Sequence, residues 1–371
     1  MAALLLFGTL LDPDLRAIVA GTPQYARPVC VPGRAVKRAA DGDYPVLVEG
    51  DVAEGLLIED PDPAALARFD FYEEGFGYVR RRWSVDLDGL REVDVYRPRG
   101  GGPEASGEPW SLAEWQRDWG PMTRRAAGEA MAWFGGVNGA TLRAMMPTIR
   151  VRACSHLRAG AAHAPVGLRS GQRRDDVRVD AARRPYASFF AVEEFDLRHP
   201  TFDGGESGRL TRAAFMMGDA VTVLPYDPAR DRVLLVEQFR VGPYARGDAH
   251  PWSLEPVAGR IDPGEGPEEA ALRETEEEAG LTLRRLLPVA SYYPSPGAIT
   301  EYLYSYVGLC DLPDGSDGIG GSADEGEDIR SHVLSFDTLM GLVETGEVDN
   351  GPLLSTALWL AMRRGTPGAF A

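Results

Sequence analysis

Positive charge is scarce in this chain, and almost all of it comes from one residue type. Lys37 is the single lysine among 371 residues, set against 56 Asp and Glu, and the formal net charge is −17. Such a balance repels nucleic acid and anionic membrane surfaces unless a cation intervenes. Any anion-binding role therefore falls to arginine or to backbone amides. Cysteine is equally sparse. Cys30, Cys154 and Cys310 stand alone without CxxC spacing, which disfavours a disulfide framework or a zinc site and fits a reducing compartment. No uninterrupted apolar run reaches the ~18 residues that would suggest a membrane span. The opening "MAALLLF" lacks a basic flank and a small-residue cleavage site, and reads as a buried first strand rather than a signal peptide. A cytoplasmic protein with no nucleic-acid or membrane partner is the expectation.

What is present is enough for two cores. A length of 371 residues with 44% hydrophobic content exceeds the ~100 to 200 residues of one typical domain. Residues 1–100 read as β-rich, with "ALLLF", "YPVLVEGDV" and "EGLLIED", and a hairpin "RRWSVDL"/"LREVDVYR" turning at Asp88-Gly89. Ser111 and Glu114 form a capping box before a helix, and "MTRRAAGEAMAWF" carries a second helical stripe. Residues 139–175 turn to Ala and Arg and read as a linker. A second β-rich body starts near residue 176, so the expected domains are 1–138 and 176–371. Strands with few helices suggest an α+β sandwich-like architecture rather than a doubly wound sheet.

The densest chemistry lies in "GRIDPGEGPEEAALRETEEEAGL", Gly259 to Leu281, with eight acidic residues and two arginines. Pro267 suits a first helical turn and Gly280 a cap, so a helix is predicted between them. On it Glu274, Glu277 and Glu278 stand at i, i+3 and i+4 and share one face. Like charges at that spacing repel by about 0.2 to 0.5 kcal/mol per pair. Mg²⁺ would offset this, being a hard cation held by one or two carboxylates plus substrate phosphates. Glu265 could join from the preceding loop, and Arg273 could orient a carboxylate. The plainer reading is a solvated acidic helix face. Spacing decides against it: the pattern G-x5-E-x7-R-E-U-x-E-E-x-G-U fits at Gly259, Glu265, Arg273, Glu274, Thr275, Glu277, Glu278, Gly280 and Leu281. Its seven fixed residues match by chance on the order of 10⁻⁸ per start site.

This segment resembles the Nudix box, the loop-helix-loop of hydrolases that cleave nucleoside diphosphates linked to another moiety. Thr275 departs from it, standing where a larger apolar residue is usual. Across residues 176–365 the chain looks like the ADP-ribose pyrophosphatase branch, through "RHPTFDGG", "LPYDPARDRVLLVEQFR", "PWSLEPVAG", "YPSPGAITE", "ADEGEDIR" and "GEVDNGPLLSTALWL". The resemblance implies an α/β/α sandwich, a nucleotide-sugar substrate, and two or three Mg²⁺ ions, with Mn²⁺ as a substitute. It implies a metal-binding carbonyl at Ala258, metal carboxylates at Glu274, Glu278 and Glu327, and a further role for Glu277. Glu325 matches the base. Arg212, Arg240, Arg260, Ser295, Gly297 and Glu301 match substrate-binding positions, although Arg260 replaces a usually apolar residue and Met217 one that is often arginine. A homodimer through residues near 185–217 is also implied. A nucleotide-binding sensor would be the alternative, but it would be expected to lack box carboxylates or the base at Glu325.

The amino-terminal residues 3–135 resemble the gamma-glutamylcyclotransferase-like, or AIG2-like, family, a β-barrel fold, through "LLLFGTLLDPDL", "ALARFDFYEEGFGYVRRRW" and "VDVYRP". There the resemblance implies a substrate loop at Gly8, Thr9 and Leu10 and a proton-shuttling carboxylate at Glu73. Phe7 and Glu74 depart from the usual tyrosine and glycine. Two readings stay open: a cyclotransferase, or a domain that keeps the fold for binding or dimer geometry. The same fusion is similar to Nudix proteins labelled tellurite resistance, although no residue accounts for tellurite chemistry.

Overall fold

The computed structural model describes residues 3–87, 89–162, 165–321, 326–366, 368 and 370. The chain divides into two compact units, Met1–Pro165 and Val166–Ala371. Among the described residues no helix is long and apolar enough to cross a membrane.

In the first unit the strands are β1 (Ala3–Leu6), β2 (Arg27–Ala39), β3 (Gly42–Ile58), β4 (Tyr78–Asp86), β5 (Leu90–Pro98) and β6 (Ala105–Pro109). The helices are α1 (Pro13–Ala20), α2 (Pro63–Glu74), α3 (Leu112–Asp118), α4 (Gly120–Met131) and α5 (Gly139–Ala161). The first strand is buried along its whole length because it lies between β3 and, in parallel, β5. Sheet order is β4-β5-β1-β3-β2-β6. The barrel expected here is not closed: among the described residues no ladder joins β4 to β6. The last strand spans five residues with Gly107 and Pro109 in it, which leaves little backbone to carry a closing ladder.

The Ala/Arg-rich stretch expected as a linker is helical through residue 161. The Asn138 side chain accepts from Thr141 N at 2.8 Å and caps α5. Leu142, Met145, Met146, Ile149 and Ala153 then recur at helical spacing and are buried. Alanine and arginine are good helix formers, so the composition that suggested a solvated linker instead suits a long helix with one packed stripe.

The second unit contains β7 (Arg178–Ala187), β8 (Ala191–Arg198), β9 (Leu210–Met216), β10 (Ala220–Asp227), β11 (Arg232–Phe239) and α6 (Val241–Arg246). There follow β12 (Trp252–Glu255), β13 (Val257–Arg260), α7 (Pro267–Ala279), β14 (Arg285–Tyr292), β15 (Leu303–Leu309), β16 (Ile319–Gly320), β17 (Ile329–Ser335), α8 (Phe336–Thr345) and α9 (Gly351–Arg363). An eight-stranded mixed sheet runs β14-β15-β10-β11-β17-β16, with β12 on β11 and β13 on β10. Val221, Val223, Leu234 and Val236 pack with Ala270 and Ala271 of α7 on one face. Leu224, Val233, Leu235, Phe336, Leu353 and Leu360 pack on the other, against α8 and α9. Central β10 is covered on both faces and buried at every residue, which is why "AVTVLPYD" reads as an almost continuous apolar run rather than an alternating one. The α/β/α sandwich is therefore present. A separate antiparallel sheet, β7-β8-β9, stays largely exposed.

Candidate active site

The acidic helix α7 spans Pro267 to Ala279 and ends at Gly280, whose φ of 63° is the left-handed cap conformation. Its N-terminus is held by the Glu269 carboxylate, which accepts from Gly266 N at 2.7 Å. Thr275, the departure noted in the sequence, is fully buried; its hydroxyl donates to Ala271 O at 2.7 Å, so burial leaves no unsatisfied group.

Arg273 organises the carboxylates. It is bidentate on Glu265 at 2.6 and 3.0 Å, and reaches Glu274 at 2.8 Å and Glu277 at 3.0 Å. Its remaining contact is to Arg260 O at 3.1 Å, so one guanidinium ties the helix to both β13 and the preceding loop. Glu274 lies against Gly259 so closely that a Cβ there would overlap its carboxyl group. Glu278 is 5% exposed and accepts from Ala258 N at 3.2 Å. Gly320 is pressed on the same helix: a Cβ on it would stand 2.5 Å from Glu278 O.

Burial dominates the electrostatics. Desolvation raises the pKa of Glu274 to about 7, with Glu277 and Glu327 adding repulsion against the opposing pull of Arg273. Desolvation likewise raises Glu278 to about 8, helped by Glu274 and Glu327 and opposed by the Ala258 amide and Arg240. Glu327 thus stands within electrostatic range of both. Arg240 completes this side, held on Glu255 by contacts of 2.6 to 3.1 Å. Among the described residues no group of three or more His, Cys, Asp or Glu side chains is gathered tightly enough to hold a metal. Chemically, however, desolvated all-oxygen donors bearing mutual repulsion suit a hard divalent cation. Glu325 lies outside the described residues.

The segment around Ser295 folds back beside this site. Ser295 O accepts from Ala298 N and Ile299 N at 3.1 and 3.0 Å, and the turn bridges to β9 through Phe215 N to Ala298 O at 2.8 Å. It carries Glu301, whose pKa is raised by burial against the pull of Arg260 and Arg240. Arg260 stacks on Phe189, 3.7 Å from the ring centroid. Gly297 is exposed. Arg212 is exposed on β9, and its guanidinium turns back to Thr211 O at 2.9 Å; it is not gathered with the carboxylates.

In the first unit, Gly8 adopts φ 67° and leaves no room for a Cβ against Pro45. Leu10 is buried, and the loop carrying Thr9 is anchored at Asp12, which binds Leu15 N at 2.7 Å, Gln116 at 2.7 Å and Arg124 at 3.0 and 3.1 Å. Glu73, in the last turn of α2, reaches the surface in part, but desolvation of its carboxyl group raises its pKa to about 8. Its electrostatic neighbours are Tyr72, Tyr78 and Tyr96. Tyr78 is also a neighbour of Tyr44, next to Pro45, so the Gly8 loop and Glu73 approach the same tyrosine-rich region.

Comparison with known proteins sorts these two sites. Residues 216–356 match the NUDIX domain, and residues 4–117 match the gamma-glutamyl cyclotransferase, AIG2-like family. An Escherichia coli (strain K12) protein named ADP-ribose pyrophosphatase is 41% identical over 189 residues, covering 51% of this chain and 90% of that one. The chain belongs to the Nudix family. A Haemophilus influenzae protein of the same name is 37% identical over 191 residues, covering 51% of this chain and 88% of its own. A GDP-mannose pyrophosphatase from Enterobacter is 30% identical over 164 residues, covering 43% and 84%.

Within this Nudix domain Arg273 joins Glu265 and Glu274, Glu274 lies on Gly259, and Glu278 holds the neighbouring Ala258 amide. Sequence reading missed Glu255, 5% exposed and the direct partner of Arg240. Its signal in the sequence was weak, an acid set in the mostly apolar "WSLEPVAG"; the need for a cationic partner shows in the fold, where Glu255 stands opposite buried Val236.

Proposed function

We propose that this chain is a divalent-metal-dependent hydrolase that converts ADP-ribose and water to AMP and ribose 5-phosphate. The observation that carries the reading is the gathering of box carboxylates, with Arg273 on Glu265, Glu274 and Glu277 and buried Glu278 on the Ala258 amide; desolvation raises the pKa of both Glu274 and Glu278. The similarity to ADP-ribose pyrophosphatases supports the substrate. Ala258, Glu274, Glu278 and Glu327 would hold two or three Mg²⁺ ions, with Mn²⁺ as a substitute. Bound there, such ions supply neutralisation of the diphosphate and acidification of the attacking water. Arg273 fixes the Glu274 rotamer and keeps Glu277 against the helix. Arg240, Arg260, Glu301, Ser295 and Gly297 would contact the substrate, whereas Arg212, turned back to Thr211 O, stands apart from them. Glu325 accepts the proton of the attacking water. The test is incubation with ADP-ribose and Mg²⁺, with AMP followed by chromatography and GDP-mannose run in parallel. Absence of AMP from the wild type, or undiminished AMP from Glu278→Gln, overturns the reading.

The same proposal includes a cytoplasmic homodimer through β7–β9, supported by the exposure of Tyr186, Phe189 and Phe215 there. Light scattering that returns a monomer mass removes that part. A second reading is favoured by one observation, the desolvated Glu73: the amino-terminal domain is a cyclotransferase, in which Glu73 moves a proton as an α-amine attacks a γ-amide. Release of 5-oxoproline from γ-glutamyl substrates tests it.

A further inference from the structure

One buried amide donor of the Nudix domain lacks a hydrogen-bond partner. Gln238 on β11 is 6% exposed, and its Nε2 is buried without a hydrogen-bond partner. Strand side chains alternate, so Gln238 shares a face with Val236 and Arg240. Val236 packs on Ala270 and Ala271 of α7. Arg240, on that same face, acts electrostatically on Glu278 and Glu327. Across the ladder Gln238 stands opposite Ser253, and Val236 opposite Glu255. The free amide donor therefore sits on the sheet face that α7 covers, between Val236 and Arg240.

A buried donor without an acceptor destabilises the free protein, and native structures seldom keep one without a use. The acceptor nearby on this face does not take it: Glu255 is held by Arg240 through both carboxylate oxygens, and Gln238 Nε2 has no partner. What the position lacks is an acceptor supplied from outside the chain, and the neighbouring arginine and cation-suited carboxylates select one rich in anionic oxygen. We propose that Gln238 is a substrate-contacting residue whose Nε2 donates to a non-bridging oxygen of the bound nucleotide diphosphate. This rests on the diphosphate-hydrolase reading above and adds a contact that the box does not contain. It makes the amide a binding element held unsatisfied until substrate arrives.

The experiment uses the full-length protein, Gln238→Met and Gln238→Glu. Each is titrated by calorimetry with α,β-methylene ADP-ribose in Mg²⁺ and again in EDTA, and each is melted without ligand. Methionine keeps the shape and removes the donor, so the analogue should bind about tenfold more weakly in both buffers while the ligand-free midpoint rises. Glutamate adds charge repulsion and should weaken the analogue further. Unchanged analogue affinity in Gln238→Met, with wild type binding normally, overturns this proposal alone. A ligand-free midpoint that falls in Gln238→Met, with affinity unaltered, assigns the amide to packing and also overturns it. Failure of the wild type to bind the analogue and to release AMP removes the ADP-ribose reading, and this proposal with it.

Discussion

Replacing Gly259 with alanine would place a methyl group on the Glu274 carboxyl group while leaving the rest of the Nudix box untouched. The built Cβ overlaps Glu274 Cδ and both of its oxygens. Restoring a carbon–carbon contact of about 3.5 Å requires the carboxyl group to retreat by roughly 1.5 Å. The backbone accepts alanine, because Gly259 is not among the residues with positive φ and sits in a regular ladder opposite Val221. The overlapping atoms are the end of a flexible side chain, so the cost to the fold is that of an off-rotamer glutamate, about 0.5 to 1.5 kcal/mol. The cost to chemistry is larger: a misplacement of about 1 Å can cost 10²-fold, and the 2.8 Å Arg273–Glu274 contact is lost too. Expected, then, is a variant that melts within a few degrees of wild type and has kcat/KM for ADP-ribose lowered about 100-fold. Turnover within twofold of wild type would refute the placement of Glu274 at the reaction centre. A variant that fails to fold would refute the account of its packing.

Arg273→Lys keeps the charge but cannot grip Glu265 bidentately while reaching Glu274 and Arg260 O; the Mg²⁺ concentration for half-maximal activity should rise about 10- to 100-fold, as a metal titration would show. Folded-state values of about 7 and 8 for Glu274 and Glu278 lie above the ordinary glutamate value of about 4.3. Between these limits the folded, metal-free chain binds more protons than the unfolded one. Their contribution is therefore fully present below about pH 4.5 and is lost as pH rises through 7 and 8. In EDTA, the stability of wild type relative to Glu278→Gln should fall from pH 5 to 8.5, by at most about 5 kcal/mol; a difference that stays flat or grows, measured by thermal melting, contradicts the assignment. In the amino-terminal domain, Glu73→Gln should abolish any 5-oxoproline release while leaving AMP production intact, which a paired assay separates.

Much of the Nudix site was legible because it is local. The spacing of Glu274, Glu277 and Glu278 puts three carboxylates on one helical face wherever the helix packs, and Gly280 and Pro267 mark its ends without any tertiary information. The i,i+4 pair of Arg273 and Glu277 follows from the same geometry. Glu255 was less legible, because its partner Arg240 is fifteen residues away, just past the end of β11. The helix α5 was misread since alanine and arginine carry no strong sign of burial; only the 142, 145, 146, 149, 153 spacing distinguishes a packed stripe from a solvated segment. Whether the amino-terminal sheet closes was not legible for a related reason, since closure depends on whether two edge strands meet.

The sequence by itself determined the family, the α7 carboxylates and the glycine that must stand before them, because each depends on residue type and on spacing within one segment. Tertiary structure decided how those groups behave. Only packing presses Glu274 onto Gly259, desolvates Glu278 and Glu73, pairs Arg240 with Glu255, and leaves the Gln238 donor without an acceptor. The reason is physical: helix periodicity is a property of neighbouring residues, whereas desolvation and hydrogen-bond satisfaction depend on which distant atoms replace water around a group.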